Sequence, residues 1–126
     1  MSKQCKKLSF RLPSYCTPRN LWRKEINEVA RAAQLEADVK YVPSDRLSVT
    51  VRLYMPGAEL VPHDVDNRMK DVFDALQGRA GGPKAKRSLP AVIPNDNQIF
   101  RVEMEKSSPP KQSRGLGHVI IRKFST

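Results

Sequence analysis

From Leu47 to Met55 the chain alternates strictly. Leu47, Val49, Val51, Leu53 and Met55 are apolar, and Ser48, Thr50, Arg52 and Tyr54 stand between them. Successive side chains of a strand point to opposite faces, so this pattern specifies a strand with one buried and one wet face. The β-branched residues suit a pleated, half-buried surface, and Pro56-Gly57 ends the run. A strand of this kind needs a sheet beside it and a second layer to cover its apolar face.

The remaining segments supply both. Leu8, Phe10 and Leu12 alternate with Ser9 and Arg11, which predicts a first strand. Thr17-Pro18 is a helix start in pattern, with Thr17 as N-cap and Pro18 at the first helical position. Trp22, Ile26, Val29, Ala30 and Ala33 follow at helical spacing and form one apolar face. A second helix is predicted from about Asp66 to Leu76, with Val65, Met69, Val72, Phe73 and Leu76 on its apolar face. Ile99–Lys106 and His118–Phe124 read as two further strands. Between the second helix and the third strand, Arg79 to Ala91 is rich in Gly, Lys and Arg and reads as a flexible basic loop. The expected fold is α+β, in the order β-α-β-α-β-β: a mixed sheet of about four strands with two helices. Residues 1–126 show no repeat or linker, so one domain is expected.

Charge narrows the partner. Lys and Arg number 23 against 13 Asp and Glu, a formal net charge of +10. Such an excess points to an acidic partner, nucleic acid first. No apolar run approaches the roughly 18 residues a membrane span requires, so no membrane role is expected. The basic N-terminus is not followed by an apolar signal core. Cys5 and Cys16 have no metal-ligand spacing and are too few for a disulfide framework. They fit reduced thiols of a cytoplasmic protein.

In a chain this basic, the placing of acids is informative. Glu59, Asp64, Asp66, Asp71 and Asp74 crowd the second helix and its approach. Phosphate repels carboxylates, so acids at a DNA-cutting site are there to hold cations, and Mg²⁺ favours hard oxygen ligands. Asp64 and Asp66 flank Val65 and share a face on extended chain. Lys70 lies four residues beyond Asp66, along the same side of a helix. Asp96 sits in Pro94-Asn95-Asp96-Asn97-Gln98, just before the third strand. If that strand starts beside the N-terminus of the second helix, three carboxylates converge. The plain alternatives stay open: Asp64 and Asp66 as helix caps, Asn95-Asp96 as a turn, Lys70 as a solvated helix lysine, and His63 as a surface residue.

The stretch Asp64-Val65-Asp66-Asn67-Arg68-Met69-Lys70-Asp71-Val72-Phe73-Asp74-Ala75-Leu76 resembles the RusA family of Holliday junction resolvases. Asn95-Asp96-Asn97-Gln98-Ile99 is similar to that family's second block, which opens a strand. The resemblance is sharp from Asp64 to Lys106 and looser elsewhere. It implies that Asp64, Asp66 and Asp96 bind metal, that Lys70 belongs to the catalytic set, and that Mg²⁺, with Mn²⁺ as a substitute, is needed. It further implies a homodimer making paired nicks in a four-way junction, which suits a two-fold substrate. The chain departs from the family at Pro62-His63, where arginines are usual, at Asn95, where the family has an acid, and in its longer 79–91 loop.

The expected activity is thus metal-dependent hydrolysis of phosphodiester bonds in branched DNA. The candidates for gripping its backbone are Arg19, Arg23 and Lys24 around the first helix and Lys84, Lys86 and Arg87 on the loop. A non-catalytic DNA-binding protein and a broader nuclease for forks and flaps are the alternatives. Trp22, at helical spacing, is expected in the core.

Overall fold

The structure, a computed structural model, describes residues 7–54, 65–79, 89–107 and 117–124; for Val65 and Asp66 it describes the backbone. Its elements are β1 (Leu8–Leu12), α1 (Arg19–Ala37), β2 (Leu47–Tyr54), α2 (Val65–Leu76), a 3₁₀ turn (Asp96–Gln98), β3 (Ile99–Ser107) and β4 (Gly117–Lys123). The strands form one four-stranded sheet in the order β1-β4-β2-β3. β4 runs antiparallel to both β1 and β2, while β3 is parallel to β2. The fold is α+β with a mixed sheet and two helices, in the order β-α-β-α-β-β.

Alternation decides the faces. Leu8, Phe10 and Leu12 of β1, Leu47, Val49, Val51 and Leu53 of β2, and Val119 and Ile121 of β4 are all buried. The register pairs them, with Phe10 and Val51 each opposite Val119, and Leu8 and Val49 each opposite Ile121. Trp22, Ile26 and Ala30 of α1 and Val72, Ala75 and Leu76 of α2 join the same cluster. Full burial of each larger side chain stabilises the fold by about 1.5–3 kcal/mol. On the other face, Ser48, Thr50, Arg52 and Tyr54 are only half-buried, as are His118 and Ile120. β3 is an edge strand, and even on its core-facing side Val102 stays exposed. Gly117 lets β4 pass close over β2, because a Cβ there would meet the Arg52 carbonyl oxygen at 1.8 Å.

Several expectations change. Helix α1 starts at Arg19, and Pro18 is the boundary residue: its carbonyl accepts from the Leu21 and Trp22 amides, and no side chain caps the end. Thr17 is therefore not the N-cap, and the Thr17–Pro18 peptide is cis. Val29 leaves the apolar face of α1 and is 36% exposed, while the polar Asn27 is fully buried. The inward face of α2 is Arg68, Asp71, Val72, Ala75 and Leu76, whereas Met69 and Phe73 are half-buried. The helical period is as expected, but its phase is shifted toward two charged residues. Met55 falls outside the described residues.

The loop expected from Arg79 to Ala91 is shorter at its far end. Gly78, at φ 82°, closes α2, with its amide donating to Ala75 O and that of Arg79 to Asp74 O. This left-handed stop needs glycine. Leu89 then donates to Gly78 O, and Val92 and Ile93 donate to Leu76 O and are buried. Residues 89–93 are thus docked on the end of α2, and 80–88 lie outside the described residues.

Candidate functional site

The arginines of α1 lead into the interior. Asp71 of α2 is fully buried. Arg23 Nε donates to its Oδ1 at 2.9 Å and Nη2 lies 2.8 Å from the same oxygen. Arg19 Nη2 is 3.3 Å from that oxygen, and Arg68 Nε is 3.4 Å from Oδ2. Arg68 also lies over the Tyr15 ring, 4.8 Å from its centroid. Asp74 adds a second carboxylate 3.8 Å from Arg23. Beside this cluster Asn27 donates to Ala75 O and Pro90 O, and accepts from Arg31. The cluster fastens α1 to α2, which explains why the buried face of α2 carries charge.

The expected DNA contacts therefore divide. Arg23 has 17% of its side chain exposed and commits its guanidinium to Asp71, so the structure gives it an internal role. Arg19, at 46%, shares Asp71 and keeps an open side. Lys24 is exposed and has no ion pair among the described residues. Lys84, Lys86 and Arg87 lie outside those residues.

The expected metal ligands also divide. Asp64 lies outside the described residues, as does His63, and Asp66 is in the first turn of α2. Lys70 is exposed on α2, on the side away from Val72 and Ala75. Asp96 is exposed and opens the 3₁₀ turn. Its amide donates to Gln77 Oε1 at 3.2 Å, and Gln77 follows the last residue of α2. From Asp66 to Leu76 the helix rises about 15 Å, at 1.5 Å per residue. Asp96 is tied to the end of α2 opposite Asp66, the reverse of the placement that convergence required. The parallel pairing of β3 with β2 explains this. Ile99 must return to the start of β2, beside Leu47, and α2 reaches that end with its C-terminus.

The chemistry of the three carboxylates suits Mg²⁺ or Mn²⁺. In one chain the separation of Asp66 and Asp96 along α2 fits less well, since Mg²⁺ holds its oxygens at about 2.1 Å. Among the described residues no three His, Cys, Asp or Glu side chains stand together. No described helix is long and apolar enough to cross a membrane.

The second motif also does structural work. Asn95 Oδ1 accepts from the Asn97 amide, and Gln98 Oε1 from the Asn95 amide. The buried Gln98 carboxamide donates to Val42 O and Asp45 O at 2.9 and 2.8 Å. A glutamine three residues after an Asn N-cap is a capping-box signature legible in sequence. Cys16 donates to Glu25 at 3.6 Å, and burial first, then the Glu25 charge, raises its pKa above the ordinary value. No protein-family model and no curated protein matches the chain.

Proposed function

We propose that this chain is a metal-dependent endonuclease of the RusA type, hydrolysing phosphodiester bonds in branched DNA and resolving four-way junctions by paired nicks. One observation carries the reading. The two acidic-motif segments contain residues the fold consumes, namely Arg68, Asp71 and Gln98, and residues it does not. Lys70 and Asp96 are of the second kind: both are exposed and neither has a side-chain partner among the described residues. Packing does not account for them.

In this reading Asp64 and Asp66 would hold the cation, which when bound would supply a more acidic water and neutralise phosphate charge. Lys70, one turn further along, sets a compact positive charge against the same phosphate as its charge grows. Arg19, Lys24, Lys84, Lys86 and Arg87 hold the DNA backbone. The position of Asp96 leads to a site completed across the homodimer, with Asp64 and Asp66 from one copy and Asp96 from the other.

Synthetic four-way junctions, forks and flaps, incubated with Mg²⁺, Mn²⁺ or EDTA, test the activity. Wild type should cut junctions with metal and only bind them in EDTA; binding without cleavage in any metal would leave a DNA-binding protein. Asp66→Asn and Asp96→Asn should each bind without cutting. Mixed and allowed to exchange subunits, the two dead variants should recover nicking, because one of the two sites in a mixed dimer is intact. A mixture that stays dead, while wild type cuts, would place all three carboxylates in one chain.

A further inference from the structure

The start of β3 breaks the sheet's regularity. Leu47 pairs with Ile99 and Ser48 with Arg101, so Phe100 is the additional residue of a bulge. A bulge re-aims a side chain, and this one leaves Phe100 55% exposed. Its ring lies 5.7 Å from that of Phe124, and the Arg46 guanidinium stands 5.2 Å from its centroid. The Phe124 amide donates to Arg46 O at 2.7 Å, continuing the β2–β4 ladder by one residue. In the next row of the open face, Ser48 is flanked by Arg101 on β3 and Arg122 on β4, both exposed. None of Arg46, Arg101 and Arg122 has a carboxylate partner among the described residues. Further along β3 the charge changes sign: Glu103 and Glu105 are exposed, and both ion-pair with Arg52.

We infer that this end of the open sheet face binds single-stranded nucleic acid, with a base stacked on Phe100 and the flanking phosphates held by Arg46, Arg101 and Arg122. Every base offers a π-face to an aromatic ring, and arginines beside it neutralise the backbone. In a duplex the bases already stack on one another, so a single projecting ring selects unpaired strands. Glu103 and Glu105 repel phosphate and direct the strand across β3, β2 and β4, not along the edge. One exposed ring over a half-buried Phe124 gives too little apolar area to insert into a lipid surface. This platform uses none of the carboxylates or Lys70, and needs neither metal nor a branched substrate.

Anisotropy of a labelled oligo-dT, titrated in EDTA, tests it apart from any cleavage. Wild type should bind. Phe100→Ala should weaken binding about five- to one-hundred-fold, as loss of one stacked base does. Phe100→Trp should restore it, and its exposed indole should be quenched by the oligonucleotide while the buried Trp22 is not. Arg101→Gln with Arg122→Gln should lower the log–log salt slope by about 0.7 per charge. Each variant should keep the wild-type urea midpoint, because all three side chains are exposed. Wild-type affinity in Phe100→Ala, or loss in both Phe100 variants, would overturn the platform. So would a Phe100-dependent binding of anionic phosphatidylserine vesicles, or a Phe100-dependent dimer in sedimentation, with oligo-dT affinity unchanged.

Discussion

Two groups of three arginines stand in this chain and do opposite things. Arg19, Arg23 and Arg68 gather around the buried Asp71 between α1 and α2. Arg46, Arg101 and Arg122 lie at one end of the open sheet face beside Phe100, without a carboxylate ion-pair partner among the described residues. Formal charge counts all six alike within the total of +10. What separates them is a single aspartate on a neighbouring helix. A carboxylate taken out of water needs close cations, and it orients the helices that carry them. Where no such carboxylate is near, the guanidinium stays hydrated and remains available to an outside anion.

The largest effect should come from Asp71. Asp71→Ala removes the carboxylate that three guanidinium groups share at the α1–α2 interface, leaving Arg23 with Asp74 at 3.8 Å, and Arg23 and Arg68 are mostly buried. Removing one partner of a buried ion pair typically costs about 3–5 kcal/mol. Arg101→Gln, on the open face, should change stability by less than about 0.5 kcal/mol. Urea unfolding of both variants reads the contrast directly. Equal midpoints would show that the two arginine groups do not differ in the way the burial implies.

The same contrast explains what was legible in the sequence. β1 and β2 follow from alternation alone, because a period of two leaves no choice of face once one set of residues is apolar. The phase of α2 was not legible. Its hydropathy centres the inner face on Val65, Met69, Val72, Phe73 and Leu76, yet Arg68 and Asp71 turn inward because Arg23, 48 positions earlier, meets Asp71 there. Only the tertiary pairing of α1 with α2 makes that charge affordable. Exposure of Lys70 was readable, since it lies off either version of the apolar face. The placement of Asp96 needed topology: once β3 is parallel to β2, the segment before it must lie at the far end of α2. The two consecutive apolar residues Ile99-Phe100 interrupt alternation and mark the bulge in the sequence itself.

A middle-sized effect belongs to Arg23, expected from sequence to grip DNA. Arg23→Ala removes two close contacts to Asp71 and one to Asp74. A charge-assisted hydrogen bond contributes about 1.5–3 kcal/mol, so stability should fall by an amount of that order. Arg23→Lys should recover part of it, since a compact ammonium cannot present the same planar fork. If Arg23 is internal, the salt dependence of DNA binding should stay as in wild type for folded Arg23→Ala. By contrast, Lys24→Ala should leave stability unchanged and reduce the duplex slope by about 0.9, the value for one lost phosphate contact. A reduced slope in Arg23→Ala would move that residue to the DNA surface and dissolve the division between the two groups.

The smallest effect lies at the rim of the buried cluster. Cys16 follows Tyr15, the residue whose ring carries Arg68, and its thiol donates to Glu25 on α1. Burial and then the Glu25 charge disfavour the thiolate, so the folded-state pKa stands above the ordinary 9.0. The sign follows from linkage. Well below pH 9 the thiol is protonated in both states and contributes no slope. As pH rises past 9 the unfolded chain loses this proton first, so unfolding becomes more favourable until the folded thiol ionises too. Stability should therefore decline on the alkaline side, and Cys16→Ser should flatten that part of the profile above pH 9. Glu25→Gln removes the charge but keeps the burial, so it should remove only part of the decline. It should also speed iodoacetamide alkylation of Cys16 at pH 8.5, because the thiolate is the reacting form. An alkaline profile identical in wild type and Cys16→Ser, with alkylation indifferent to Glu25, would mean that the interhelical cluster ends at Arg68 and exerts no hold on the residues at its edge.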